Sequence, residues 1–209
     1  MLNDFFGHKI YTWNVENYKF LNLKNNIEFN QDLESYFSIA SKKSSRPFES
    51  NGFAYSTSIE NKHYHLFEEL LTPNLWDGLT DLGIKNIENF HINRCWANRM
   101  HNGSSGKIHN HTDQLNRQVY TVVLYYNIPE QTSGDLVLLN PRKYQMKFFP
   151  NFSSISEFPL NQIHKNDKWN IKVSEGLCVL HSGDIPHAVS THRNENPRDS
   201  IIIEFVYNN

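Results

Sequence analysis

The densest concentration of reactive side chains is Lys107-Ile-His-Asn-His-Thr-Asp113, in which His109, His111 and Asp113 stand at spacings of two. On an extended backbone, residues two apart project from the same face. His111-x-Asp113 can therefore present an imidazole and a carboxylate to one ion. A third ligand has to arrive from a distant strand, and His187 is placed to do so. It follows Ser182-Gly-Asp-Ile-Pro186, a turn that delivers the chain into a strand-like segment. Further on, Arg198-Asp-Ser200 opens the apolar run Ile201-Ile-Ile-Glu-Phe205. Arg198 and Ser200 alternate onto one face, with Ile202 and Glu204 after them. A guanidinium fork beside a hydroxyl is a clamp for a carboxylate. The chemistry suggested is a metal centre with an anion site nearby.

Those residues need elements to hold them. Residues 32–42 carry Leu33, Tyr36, Phe37 and Ala40 at the spacing of a helix face. Residues 41–52 are polar and read as a loop. A second helix is predicted over 73–82, with Thr72 as cap, Pro73 in the first turn, Leu75, Trp76, Leu79 and Leu82 on one face, and Gly83 at its end. From about residue 90 the pattern changes to short strands between turns: 117–127, 135–139, 171–173, 177–181, 187–191 and 200–207. Short strands at this spacing indicate a mainly β (α+β) domain, a double-stranded β-helix or jelly roll of cupin type. Residues 1–90 would be N-terminal helical support within the same domain, and 91–209 the core. The long apolar connection over 142–170 reads either as a packing flap or as a lid over the site. Of the 11 His, His8, His63, His65 and His164 sit among polar neighbours and are expected at the surface. Trp96 is expected in the core, and His181 and Asp184 need no role.

Two histidines and one carboxylate with open positions form the facial triad of non-haem iron(II) oxygenases. With the downstream Arg-x-Ser, the sequence resembles the 2-oxoglutarate/iron(II)-dependent oxygenases, specifically the prolyl-hydroxylase-like group. The resemblance runs roughly from residue 49 to 207. It rests on His109-x-His111-x-Asp113, His187 and Arg198-x-Ser200, with softer support from Ser50-Asn-Gly-Phe53, Trp96-Ala-Asn98, Leu124-Tyr-Tyr126, Asn140-Pro-Arg142 and Glu175-Gly-Leu-Cys-Val-Leu180. It implies His111, Asp113 and His187 as ligands of Fe(II), and Arg198 with Ser200 as partners of the distal carboxylate of 2-oxoglutarate. Tyr126 or Tyr125 would add a phenol donor, and Asn98 would reach the co-substrate or the substrate. The implied reaction is hydroxylation of a prolyl residue or small molecule by O2, with release of succinate and CO2. His109-x-His111 is a competing pair of the kind found in metal-binding cupins. A cupin site wants a glutamate a few residues on, where Leu115 and Asn116 stand, and it leaves Asp113 unused. The alternatives are a cupin-type dioxygenase or isomerase without 2-oxoglutarate, or a non-enzymatic jelly-roll binding module.

Composition narrows the field. The 209 residues carry 20 Lys+Arg against 22 Asp+Glu, a net charge of −2, with neither sign gathered in a long run. A basic nucleic-acid footprint is therefore not expected. No apolar run is long enough to cross a bilayer, and residues 1–11 lack the basic start and apolar stretch of an export signal. Two cysteines, Cys95 and Cys178, make neither a disulfide framework nor a zinc motif. A cytoplasmic enzyme acting on a small-molecule or peptidyl substrate is the expectation.

Overall fold

A computed structural model describes residues 1–43, 54–85, 90–111, 118–130, 134–144, 160 and 163–207. The strands are β1 (Leu2–Phe5), β2 (His8–Asn14), β3 (Ala54–Ser58), β4 (Phe90–Met100), β5 (Gly106–His109), β6 (Gln118–Asn127), β7 (Leu136–Leu139), β8 (Lys168–Ile171), β9 (Leu177–Ser182), β10 (His187–Val189) and β11 (Arg198–Tyr207). The helices are α1 (Asn17–Lys24), α2 (Ile27–Lys43), α3 (Tyr64–Leu71) and α4 (Asn74–Asp81). Strands in the order β1-β2-β9-β6-β11-β4-β3 make a seven-stranded sheet, and β5-β10-β7-β8 make a four-stranded one. The two sheets face each other as a jelly roll, as the strand pattern predicts.

Apolar residues fall into three layers. Ile10, Val123, Leu136, Leu138, Val179 and Ile202 pack between the sheets. On the other face of the large sheet, Val122, Leu124, Leu180, Ile201 and Ile203 pack against Phe29, Leu33 and Phe37 of α2 and Phe67, Leu71, Leu75 and Leu79 of α3 and α4. Ile108, Val137, Leu139 and Ala188 form a smaller cluster with Ile163. Central strand β6 is buried on both faces from Val119 to Tyr126, so its sequence is apolar apart from Thr121 and shows no polar alternation. Each large side chain there contributes roughly 1.5–3 kcal/mol by leaving water.

The N-terminal part does more than supply helices. β1 and β2 extend the large sheet beside β9, and β3 forms its opposite edge. α2 spans Ile27–Lys43, longer than its predicted face, because Phe29 also packs inward. Arg99 clips it to the sheet, bonding both Glu34 oxygens (2.8 and 2.6 Å) and both Asp199 oxygens (2.8 Å each). At α4 the N-cap is Pro73 without a side-chain bond, not Thr72. Gly83, at φ +92°, ends that helix as expected. His63 departs from its surface expectation: it is 3% exposed, set against Phe29 and bonded to Asp32 at 2.9 Å. Polar sequence neighbours did not disclose that α2 covers it. Most of the 142–170 connection (145–159 and 161–162) lies outside the described residues. No helix among the described residues is long and apolar enough to cross a membrane.

Candidate active site

Antiparallel register sets the inner face of the large sheet in rows. Arg94, Glu204, Thr121 and His181 lie side by side across β4, β11, β6 and β9. The next row is Ser58, Trp96, Ile202, Val123 and Val179, and the one after it Ser56, Asn98, Ser200 and Tyr125. Ala54, Met100 and Arg198 follow. The first row carries a histidine cluster, and the last two carry a candidate anion site.

In the cluster, His109 at the end of β5 stands opposite His187 on β10, and His111 follows in the chain. The ligand atoms of His109, His111 and His187 all lie within 4.8 Å of one another. The outer nitrogens are fixed by acceptors. His187 Nδ1 faces the Ile185 carbonyl at 2.9 Å, His109 Nδ1 the Lys107 carbonyl at 2.8 Å, and His111 Nδ1 the Glu204 carboxylate at 2.5 Å. A carbonyl or carboxylate only accepts, so each Nδ1 carries the proton and each Nε2 offers a lone pair. His111 Nε2 and His187 Nε2 are 3.1 Å apart. Two lone pairs facing each other repel, but with imidazole–metal bonds of about 2.1 Å, ligands at a right angle lie about 3.0 Å apart. The donor set fits a divalent ion such as iron(II).

Other contacts hold the cluster. Trp96 packs against the core between the sheets, as expected, and also stacks on His111 at 5.4 Å. Glu204 is 1% exposed and also accepts from Arg94 Nε and Nη2. Burial pushes its carboxyl pKa up, but the bonds from His111 and Arg94 outweigh that and hold it below the usual range. The His111 N–H donates to the Gly183 carbonyl at 2.7 Å. A Cβ at Gly183 would come within 2.5 Å of the His111 carbonyl, so this close approach requires glycine. His181 is fully buried beside His187, with ring centroids 4.9 Å apart and an Nε2 that bonds no described residue.

Burial sets the charge of the cluster. It pushes His181 down to about 4 and, with the neighbouring His111, His109 down to about 4. His187 is held well below the ordinary value, again chiefly by burial. These imidazoles are neutral in the folded protein near pH 7, as metal binding requires. In the unfolded chain they take up protons near pH 6.5, so their contribution to stability is present above that pH and is lost as pH falls toward 4. Thermal melting in metal-free buffer should show Tm decreasing steadily from pH 7 to 4.5. A flat profile would mean that these histidines are charged in the fold.

The anion site lies between the same sheets. Arg198 is 1% exposed, with its Cζ 5.0 Å from the Tyr125 ring centroid and its Nη1 on the Met100 sulfur at 3.2 Å. Its Nε and the buried Tyr125 hydroxyl have no well-directed hydrogen bond among the described residues, although the two side chains lie close enough to attract each other. The nearby carboxylates are engaged elsewhere, Asp199 by Arg99 and Asp135 by Lys172. A buried guanidinium without a contacting carboxylate is costly, and a bound dianion would relieve it. Burial drives Tyr125 up to about 12, so its phenol stays a donor. Ser200, 4% exposed, lies beside Tyr125 in register. The fit to 2-oxoglutarate is in these orphaned donors.

The candidates from the sequence fall out as follows. His111 and His187 meet in the cluster, and Arg198 and Ser200 share an inward face. Asp113 lies outside the described residues. Tyr126 is not beside Arg198: it occupies the helix-side face of β6 and donates to Asn30 at 2.6 Å. Tyr125 takes the inward position. Asn98 lines a cavity of about 490 Å³ together with Ser56, Ser58, Arg94, Trp96 and His111. An adjoining space of about 380 Å³ shares Asn98 and His109 and continues past Met100 and Lys107. Glu204 and Arg94 were missed as site residues. The signal available was the inward phase of Glu204, two strand repeats beyond Ser200.

Comparison with known proteins agrees with this geometry. Solved structures share the fold at low identity. HygX from Streptomyces hygroscopicus, crystallised with nickel, 2-oxoglutarate and hygromycin B, is 12% identical, with 95% of this chain and 82% of that chain covered and a TM-score of 0.58. A truncated viral collagen prolyl hydroxylase from Paramecium bursaria Chlorella virus-1 gives 12%, 97%, 92% and 0.54 in the same order. A prolyl-4-hydroxylase from Pseudomonas putida gives 14%, 97%, 94% and 0.52. The fold is thus the jelly roll of the 2-oxoglutarate oxygenases. The family model described as "Putative 2OG-Fe(II) oxygenase" matches residues 94–204, more than half of the chain, and the protein belongs to that family. It is an oxygenase that uses iron(II) and 2-oxoglutarate, which removes the non-enzymatic and 2-oxoglutarate-independent alternatives. No curated protein matches it by sequence.

Proposed function

We propose that the protein hydroxylates a small-molecule or peptidyl substrate, converting 2-oxoglutarate and O2 to succinate and CO2 in the same turnover. The observation that carries this reading is the pairing inside one jelly roll of three clustered histidine ligand atoms with a buried guanidinium that no carboxylate among the described residues contacts. Iron(II), when bound, supplies the activation of O2. His111 and His187 are its first two ligands in this reading. The sequence offers Asp113 as the third. His109, opposite His187 in register and with a ligand atom in the same cluster, is the competing candidate. Arg198, Ser200 and Tyr125 hold the distal carboxylate of 2-oxoglutarate, fixing which end faces the metal. The substrate lies in the cavity along Ser56, Ser58 and Asn98, where hydroxyl and amide groups orient it beside the histidines. The apolar layer between the sheets keeps bulk water from the reacting atoms.

Anaerobic titration tests the proposal. Adding iron(II) and then 2-oxoglutarate should produce a weak visible absorption band that needs both. Admitting O2 should then yield succinate stoichiometric with 2-oxoglutarate consumed. Binding of 2-oxoglutarate that is equally tight with and without metal, and no succinate, would reject it.

A further inference from the structure

Two rings lie against that of His111. Trp96 stacks on it at 5.4 Å and an interplanar angle of 22°, and His187 stacks at 4.9 Å and 5°. Its backbone is pinned to Gly183. Stacking leaves two things unsettled, namely which edge of the ring faces the cluster and which nitrogen carries the proton. Glu204 decides both. Its Oε1 is 2.5 Å from His111 Nδ1, and the side chain is 2% exposed. Arg94 takes Glu204 as a fork, through Nε to Oε2 and through Nη2 to Oε1 at 2.7 Å, so the carboxylate cannot rotate away. Arg94 in turn sits over the Trp96 ring, 5.1 Å from its centroid. Arg94, Trp96, His111 and Glu204 thus contact one another in a ring.

We propose that Glu204, clamped by Arg94, is a positioning residue for the metal centre that holds His111 with Nδ1 protonated and Nε2 bare toward His187. The proposal rests on the reading of His111 as a ligand. An ionised carboxylate only accepts, so it permits a single tautomer, and it raises the basicity of the imidazole it binds. A histidine bearing its proton on Nε2 has no lone pair for the ion.

Glu204→Gln keeps the side chain's shape but leaves one oxygen for two donors. Arg94, with two N–H groups, takes that oxygen and turns the amide NH2 toward His111. Nδ1 must then accept, and the proton moves to Nε2. The full-length protein, labelled with 15N-histidine and free of metal, allows the tautomer to be read directly by long-range 1H–15N correlation. Cobalt(II) titration followed by visible absorption reads affinity. The wild type should show His111 protonated on Nδ1. Glu204→Gln should show it on Nε2, with cobalt(II) binding weakened roughly 10- to 100-fold. The double variant Arg94→Met/Glu204→Gln frees the amide oxygen to face His111 and should recover much of that loss, which a purely structural role would not allow. A wild-type His111 protonated on Nε2 overturns the proposal, as does cobalt(II) affinity in Glu204→Gln within about threefold of the wild type. The tautomer is read on the unaltered protein, so the test survives misfolding of the variants. Wild-type cobalt(II) binding by His111→Ala would instead dismiss His111 as a ligand and leave its contact with Glu204 standing.

Discussion

His187→Ala and His111→Ala are each expected to lower iron(II) affinity by more than roughly 100-fold, beyond the loss typical of a residue that only supports a ligand. Each removes one of two Nε2 atoms that lie 3.1 Å apart and are oriented by bonds at their far nitrogens. Truncation to alanine leaves no donor able to replace them. The pair His109→Ala and Asp113→Ala then identifies the third ligand. If Asp113 completes the facial triad with His111 and His187, Asp113→Ala should match the loss of His111→Ala, and His109→Ala, although that residue also lies in the cluster, should keep most of the affinity. The reverse result would make His109 the third ligand. Anaerobic titration of each variant, with melting curves of the metal-free proteins as a control for folding, makes the measurement. Equal, near-wild-type affinity in all four variants would remove the metal site from this cluster altogether.

The legible parts of the site were those whose spacing has one geometric meaning. His-x-His-x-Asp on a strand end, a histidine after a Gly-Pro turn, and Arg-x-Ser opening an apolar strand each imply side chains on a common face, and His111, His187, Arg198 and Ser200 are found so placed. The choice between Tyr125 and Tyr126 was not legible. β6 is buried on both faces, and its one interior polar residue, Thr121, is too weak a marker to tell which phase points inward. The pairing of Tyr125 with Ser200 across β11 shows which of the two faces inward. Glu204 was visible as an inward position, but its partner Arg94 lies far away in sequence on β4, and such contacts leave no local trace. β1 and β2 escaped notice for a related reason. β2 exposes or half-buries most of its residues, with only Ile10 and Trp13 buried, so its periodicity is weak until β9 is beside it. His63 shows the limit from the other side, since polar neighbours in sequence say little about a residue covered by a distant helix.

Arg198→Ala is expected to abolish 2-oxoglutarate binding at ordinary concentrations while leaving iron(II) affinity within a few fold of the wild type. The guanidinium is 1% exposed, and the carboxylates near it are turned toward Arg99 and Lys172. A co-substrate carboxylate entering this space trades water for a single strong cationic partner. Removing that partner strands the carboxylate in a largely apolar pocket, a change that typically costs about 2–5 kcal/mol. That range corresponds to a loss of roughly 30-fold to several thousand-fold in affinity. Tyr125→Phe removes one neutral donor and should cost less, about 1.5–3 kcal/mol as a bond to a charged group. Lysine at position 198 should rescue only in part, because a point charge cannot offer the fork. Isothermal titration of the metal-loaded variants with 2-oxoglutarate under argon, beside metal titrations of the same proteins, separates the two sites. Undiminished 2-oxoglutarate affinity in Arg198→Ala would mean that the buried cation serves the fold alone, and that the co-substrate's distal end is held elsewhere.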